Sequence, residues 1–159
     1  MGRVDIEDDN AAFGTTTVKF KRVIEDAIIP TRGSTEAAGW DLYNNEGDFT
    51  ITPHTTVKIN TGIAIALPKN TFGGIFARSG LATKQGLRPS NCCGVIDSDY
   101  RGPAIVALHN DTDTEQTITR GERIAQLIVI PYLPISLVEV AELDDTERGE
   151  GGFGSTGTH

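Results

Sequence analysis

Sulfur is scarce in this 159-residue sequence, which holds two cysteines and one methionine. The cysteines are neighbours, Cys92–Cys93, so there is no CxxC and no spacing suited to a metal. A disulfide between adjacent residues would be strained, and the pair reads as two small, half-buried thiols. Long apolar runs are missing too. No stretch approaches the ~20 residues that a membrane-spanning helix needs, and no basic-then-apolar leader suggests secretion. The expected location is the cytoplasm, or the host cytoplasm for a viral gene. Positive charge is short: 14 Lys and Arg against 22 Asp and Glu give a net charge of −8. That argues against stable binding of a nucleic-acid backbone, which depends on cationic side chains displacing counterions. One small anion remains possible to hold, because a few arginines with a divalent cation make a local positive site. The acidic clusters at 5–9 and 142–147 read as solvated surface.

What the sequence has is punctuation. Eighteen glycines and seven prolines interrupt any long helix. With 38% hydrophobic residues the chain is an ordinary globular one, long enough for a single domain with a core. Between the breaks runs a period of two. Val18, Phe20 and Val23 suggest a first strand with a bulge. In "TVKINTGIAIALP", Val57, Ile59, Ile63, Ile65 and Leu67 alternate with polar or small residues, the mark of half-buried strands. "GPAIVALHN" and "RIAQLIVIPYLPISLVEV" add further strands, each stopping at a proline or polar turn. Many short strands point to a sandwich or jelly roll. One short helix is expected in "RSGLATKQGL", with Ser79 as N-cap candidate and Gly86 as stop. Residues 1–16 read as a loosely held acidic segment, 17–147 as the β domain, and 148–159 as a flexible arm with five glycines.

Two pieces invite an anion. The arm lacks the lysine and following helix of a GxxxxGK[ST] loop, yet Phe153 among glycines, near Arg148, Ser155 and Thr156, suits an arm that covers a ring and its phosphates; the alternative is a disordered tail. Arg78 and Ser79 precede a helix whose first N–H groups lack partners, an anion site or a plain N-cap. In "GVIDSDYRG" (94–102), a carboxylate directly after an apolar strand is either turn chemistry or a positioned base beside an aromatic.

Five segments in order resemble the five motifs of the trimeric deoxyuridine triphosphatase (dUTPase) family: "AAGWDL" (37–42), "ARSGLA" (77–82), "GVIDSDYRG" (94–102), "RGERIAQLIV" (120–129) and "RGEGGFGSTG" (148–157). The resemblance runs from about residue 18 to the C-terminus. It implies a mainly β, jelly-roll-like barrel, a homotrimer with shared active sites, and hydrolysis of dUTP to dUMP and pyrophosphate. Such activity limits uracil incorporation into DNA and supplies dUMP for dTMP synthesis.

By this resemblance Asp97 activates the water that attacks the α-phosphorus, and Tyr100 packs under the deoxyribose and refuses a 2′-hydroxyl. Asp99 anchors the turn by hydrogen bonds. Uracil is read by a β-hairpin over Asn91–Ile96, through Asn91 and backbone groups near Gly94, Val95, Ile96 and, across, Ile105. The triphosphate falls to Arg78, Ser79, Gly80 and Gln126, and to the arm through Arg148, Gly154, Ser155 and Thr156, with Phe153 stacked on the base. The implied cofactor is Mg2+, held mainly by phosphate oxygens and water, with Asp41 supporting it indirectly through water. No membrane partner is implied; a regulatory protein partner is, if the gene is phage-borne.

Five positions depart from the family pattern: Trp40, Ala77, Pro103, and the Cys92–Cys93 pair, which would make activity sensitive to thiol reagents. His54, His109 and His159 match no motif role. Two other readings compete. The dCTP deaminases share the fold, but their chemistry needs a glutamate-based site where this chain has Asp97-Ser98-Asp99-Tyr100. A nucleotide-sensing regulator on the same scaffold would be favoured by a broken motif, and none of the five is broken.

Overall fold

The computed structural model describes residues 16–152. The acidic segment up to residue 15, and the arm from Phe153 onward, with Gly154, Ser155, Thr156 and His159, lie outside the described residues. Ten strands and one helix follow in order. They are β1 (Lys19–Arg22), β2 (Trp40–Tyr43), β3 (Phe49–Ile51), β4 (Thr56–Ala66), β5 (Thr71–Phe76), α1 (Ser79–Gln85), β6 (Leu87–Pro89), β7 (Cys93–Ile96), β8 (Pro103–Asn110), β9 (Gln116–Ile118) and β10 (Arg123–Pro131). Two four-stranded sheets, in the orders β1-β4-β8-β6 and β2-β10-β5-β7, are joined by a two-stranded β3-β9 piece. The architecture is mainly β and jelly-roll-like, and among the described residues no sheet closes into a barrel.

Alternation becomes a core in β8, where Ala104, Val106, Leu108 and Asn110 are buried and Ile105 faces out. Leu108, Ile59 and Ile63 of the first sheet, Leu42, Ile75 and Ile124 of the second, and Ile51 and Ile118 of the third meet in one apolar cluster. β4 starts in period two and then breaks phase, being buried continuously from Thr61 to Ile65. The cause is an irregularity in the β4–β8 ladder between Asn60 and Ala64. Gly62 sits there at φ 69°, and a side chain on it would run into Ala27. Three buried asparagines staple loops to this core. Asn45, for example, accepts from Ile28 N (2.8 Å) and donates to Ile28 O (3.1 Å) and Thr61 O (2.7 Å).

Several expectations need correction. β1 is exposed along its whole length, Phe20 included, and only Val18 packs on the core. The helix begins one residue earlier than expected, at Ser79 itself: Arg78 is the N-cap, in extended conformation and without a side-chain cap bond. Gly86 does end the helix, at φ 63°. β10 stops at Pro131, and the apolar alternation beyond it forms no ladder among the described residues. Leu133, Ile135, Leu137, Val138 and Leu143 are instead exposed, Leu137 at 92%.

Candidate functional site

Asp41, Gln126 and Phe76 are register partners on three adjacent strands, β2, β10 and β5. Sheet pairing thus sets the first and fourth motifs in one row with the residue just before the second, although they are far apart in sequence. The chain leaves β5 through Ala77 into Arg78, so the arginine emerges beside Asp41. Asp41 Oδ1 accepts from Arg78 Nε at 2.7 Å, and Oδ2 accepts from Arg123 Nη1 at 3.1 Å. Arg123 comes into reach through a ladder irregularity between Arg123 and Ala125, where Ile124 and Ala125 are both buried. Gln126 Nε2 donates to Ala77 O at 2.8 Å, and its amide lies against Gly39, where a Cβ would collide with it.

These residues wall a recess of about 350 Å3, completed by Ser79, Gly80 and the loop from Gly33 to Gly39. Arg32 shapes that loop by donating to Ala37 O (3.0 Å) and to Thr35 O, and by lying over the Trp40 ring at 5.5 Å. With two guanidiniums and a serine hydroxyl around one carboxylate, the recess suits a polyanion. Asp41 was expected to support a metal through water; in the fold each of its oxygens already holds an arginine. Arg123 was not singled out from the sequence. It stands inside the fourth motif, but only the register with Asp41 reveals its place.

A second recess, about 220 Å3, shares no wall residue with the first. Asn91, Gly94, Val95, Ile96, Asp97 and Tyr100 line one side and Pro103, Ala104 and Ile105 the other. The hairpin expected over Asn91–Ile96 is not one. β7 pairs with β5, β8 lies in the other sheet, and no ladder joins β7 to β8. β7 is therefore an edge strand, with a strand neighbour on one side only among the described residues. Its free edge offers backbone N–H and C=O groups to whatever enters, and Val95 (62% exposed) and Ile105 (45%) supply apolar contact.

Asp97 is exposed, and its carboxylate accepts no hydrogen bond from the described residues. The turn after it is held by Tyr100 N donating to Asp97 O (3.1 Å) and by Arg101 Nη1 donating to Ser98 O (2.7 Å) and Tyr100 O (2.8 Å). Arg101 thus does what was expected of Asp99, whose carboxylate accepts no hydrogen bond among the described residues. Tyr100 Oη donates to Pro103 O at 3.1 Å.

Other candidates stand apart from both recesses. Arg148 Nε donates to Gly151 O at 2.8 Å and lines neither. Cys92 is exposed rather than half-buried, in left-handed conformation (φ 59°), while Cys93 is half-buried. His54 pairs with Asp113 (2.9 Å), and His109 bonds Thr56 Oγ1 (2.8 Å), so both serve the surface of the first sheet. Among the described residues no group of three or more His, Cys, Asp or Glu is placed to hold a metal.

A family model described as dUTPase matches residues 25–157. The chain belongs to the dUTPase family. The deoxyuridine 5′-triphosphate nucleotidohydrolase of Hydrogenobaculum sp. (strain Y04AAS1) is 45% identical over 137 residues, 86% of this chain and 95% of its own. The enzyme of that name from Paramecium bursaria Chlorella virus 1 is also 45% identical, with the same coverage. The human mitochondrial one is 46% identical over 147 residues, 92% of this chain and 57% of its own. Among solved structures, Staphylococcus bacteriophage 80alpha dUTPase with dUpNHpp superposes at a TM-score of 0.83, with 28% identity, covering 91% of this chain and all of that one.

Proposed function

We propose that this dUTPase-family chain cleaves dUTP to dUMP and pyrophosphate, with Asp97 as base, in sites each assembled from more than one copy. The observation that carries the reading is the division of labour between the recesses. One has an unpaired strand edge, a free carboxylate and an aromatic ring; the other has paired arginines and no ring-sized apolar wall. Ligand pockets for whole small molecules usually run to roughly 300–1,000 Å3, and the base recess alone falls short of that at about 220 Å3. A nucleoside triphosphate would span the base recess of one copy and the arginine recess of another. The exposed apolar side chains between Leu133 and Leu143 are surface that neighbouring copies would cover, in keeping with a closed homotrimer.

In the base recess, the β7 edge and Asn91 would pair with uracil. Cytosine reverses the donor and acceptor at the same two positions, leaving buried polar groups unpaired, which discriminates strongly. Tyr100 lies where the deoxyribose would pass, and its ring leaves no polar partner for a 2′-hydroxyl. Asp97 then holds a water and takes its proton as the oxygen attacks the α-phosphorus. The bond to the bridging oxygen breaks and pyrophosphate departs with the electron pair. Arg78 and Arg123, fixed by Asp41, stabilise the charge that grows on the leaving oxygens, helped by Ser79, Gly80 and Gln126. Among the described residues no three His, Cys, Asp or Glu are grouped around a cation; Mg2+ would arrive on the triphosphate with water completing its shell, and bound there it would neutralise phosphate charge. The arm, through Arg148, Phe153, Gly154, Ser155 and Thr156, would close over the nucleotide.

Hydrolysis in heavy-oxygen water tests the chemistry. The solvent oxygen is expected in dUMP alone. Label in pyrophosphate would place the attack at the β-phosphorus, out of keeping with Asp97 as the base for attack at the α-phosphorus.

A further inference from the structure

Gly102 lies beneath the Tyr100 ring. A methyl group on its Cα would collide with the Tyr100 hydroxyl, approach Cζ to 2.6 Å and Cε2 to 3.1 Å. Real side chains do not sit that close, so the ring rests on bare backbone. The ring's far end is tied down by its hydrogen bond to Pro103 O (3.1 Å). Proline contributes beyond supplying that oxygen. Its ring fixes its own φ, and its presence biases Gly102 towards extended backbone. The seat and the acceptor are therefore set by neighbouring residues in one rigid dipeptide.

We propose that Gly102 is a specificity-determining positioning residue, acting through Tyr100 to set how closely the ring approaches the sugar of the nucleotide. This rests on the dUTP reading above. The role is separable from packing for two reasons. Tyr100 is 43% exposed, so moving its ring takes little from the core. Gly102 is not among the glycines held at positive φ, so an alanine there brings no backbone strain. All three atoms nearest a Cβ there belong to the exposed Tyr100 ring, so the ring is expected to be what moves. Pro103, a departure from the family pattern, bears on the same device through its fixed φ and its bias on Gly102, since the carbonyl acceptor itself is backbone.

The test is a double-mutant cycle in the full chain, with Gly102→Ala, Tyr100→Ala and both together. KM and kcat are measured for dUTP and UTP, and Tm for each variant. Gly102→Ala is expected to raise KM for dUTP roughly three- to a hundredfold, the span of couplings between contacting residues. The preference for dUTP over UTP should change while Tm stays near wild type. In the Tyr100→Ala background the same substitution should change neither KM nor preference, because there is no ring to displace. An equal cost in both backgrounds, or a lowered Tm with KM unmoved, would overturn the proposal. If the wild-type chain does not cleave dUTP, the dUTP reading fails by itself. The seat is then judged from a crystal structure of Gly102→Ala, where an unmoved ring overturns it.

Discussion

Asp41 shows how one side chain organises a site it does not dominate. Its two oxygens hold Arg78 at 2.7 Å and Arg123 at 3.1 Å, and it is itself half-buried at 14% side-chain exposure. Hydrogen bonds to charged groups contribute about 1.5–3 kcal/mol. Asp41→Asn, which keeps the shape and loses the charge, is therefore expected to lower kcat/KM for dUTP roughly ten- to a hundredfold; an unchanged value would mean the arginines hold themselves. Asp97→Asn should retain nucleotide binding, measured by titration calorimetry, and lose roughly 10²–10⁴ in turnover, the usual span for a general base. Near-normal turnover would refute the role. Local context drew attention to Asp97 and Tyr100, a carboxylate and an aromatic after an apolar strand, but left turn and base readings open; the family resemblance supplied their expected roles. The sequence did not announce Arg123, because a lone arginine before a buried strand looks like any surface residue until the register with Asp41 is known. The role expected of Asp99 failed because a carboxylate can only accept, whereas the turn's open groups are the Ser98 and Tyr100 carbonyls, which the Arg101 guanidinium reaches as a donor.

At the scale of elements, the loop staples govern stability. Asn45 is 2% exposed and serves three backbone groups, so Asn45→Ala should cost on the order of 1–3 kcal/mol, read as a shifted denaturation midpoint; no shift would show that water replaces the amide. Two surface carboxyls set a weak pH dependence. The Arg120 guanidinium lowers the Asp26 carboxyl, and Arg88 lowers that of Asp111, from the ordinary 3.8. Depressed folded values mean that the contribution is present above 3.8 and fades as pH falls through them. Arg88→Met should therefore lower Tm slightly at neutral pH and not in strong acid, checked by thermal melts across that range. Strand content was legible from period two in β4 and β8. The Gly62 bulge was not, since a glycine in an alternating run does not state its φ. Nor was the end of the β10 ladder: the run to Val140 read as strand because its apolar residues alternate, yet Leu133, Ile135, Leu137 and Val138 are exposed.

For the molecule as a whole, the separation of the two recesses makes a prediction that a self-contained monomer would not. Asp97→Asn and Arg78→Ala chains, each inactive alone, should regain activity when assembled together. Random assortment would leave intact about a quarter of the sites, each with a base recess from one variant and an arginine recess from the other. Mixtures as inactive as their parts would place the whole site in one copy. Truncation after Glu147 should abolish most turnover with Tm unchanged, since residues 141–150 are exposed throughout; a large fall in Tm would make the arm structural. The most direct test of dUTP hydrolysis itself is pyrophosphate release by the purified full chain with Mg2+, comparing dUTP with dCTP, dTTP and UTP. Rapid release from dUTP, and little from the other three, is the expected result. Tight dUTP binding without release, or equal release from all four, would contradict it.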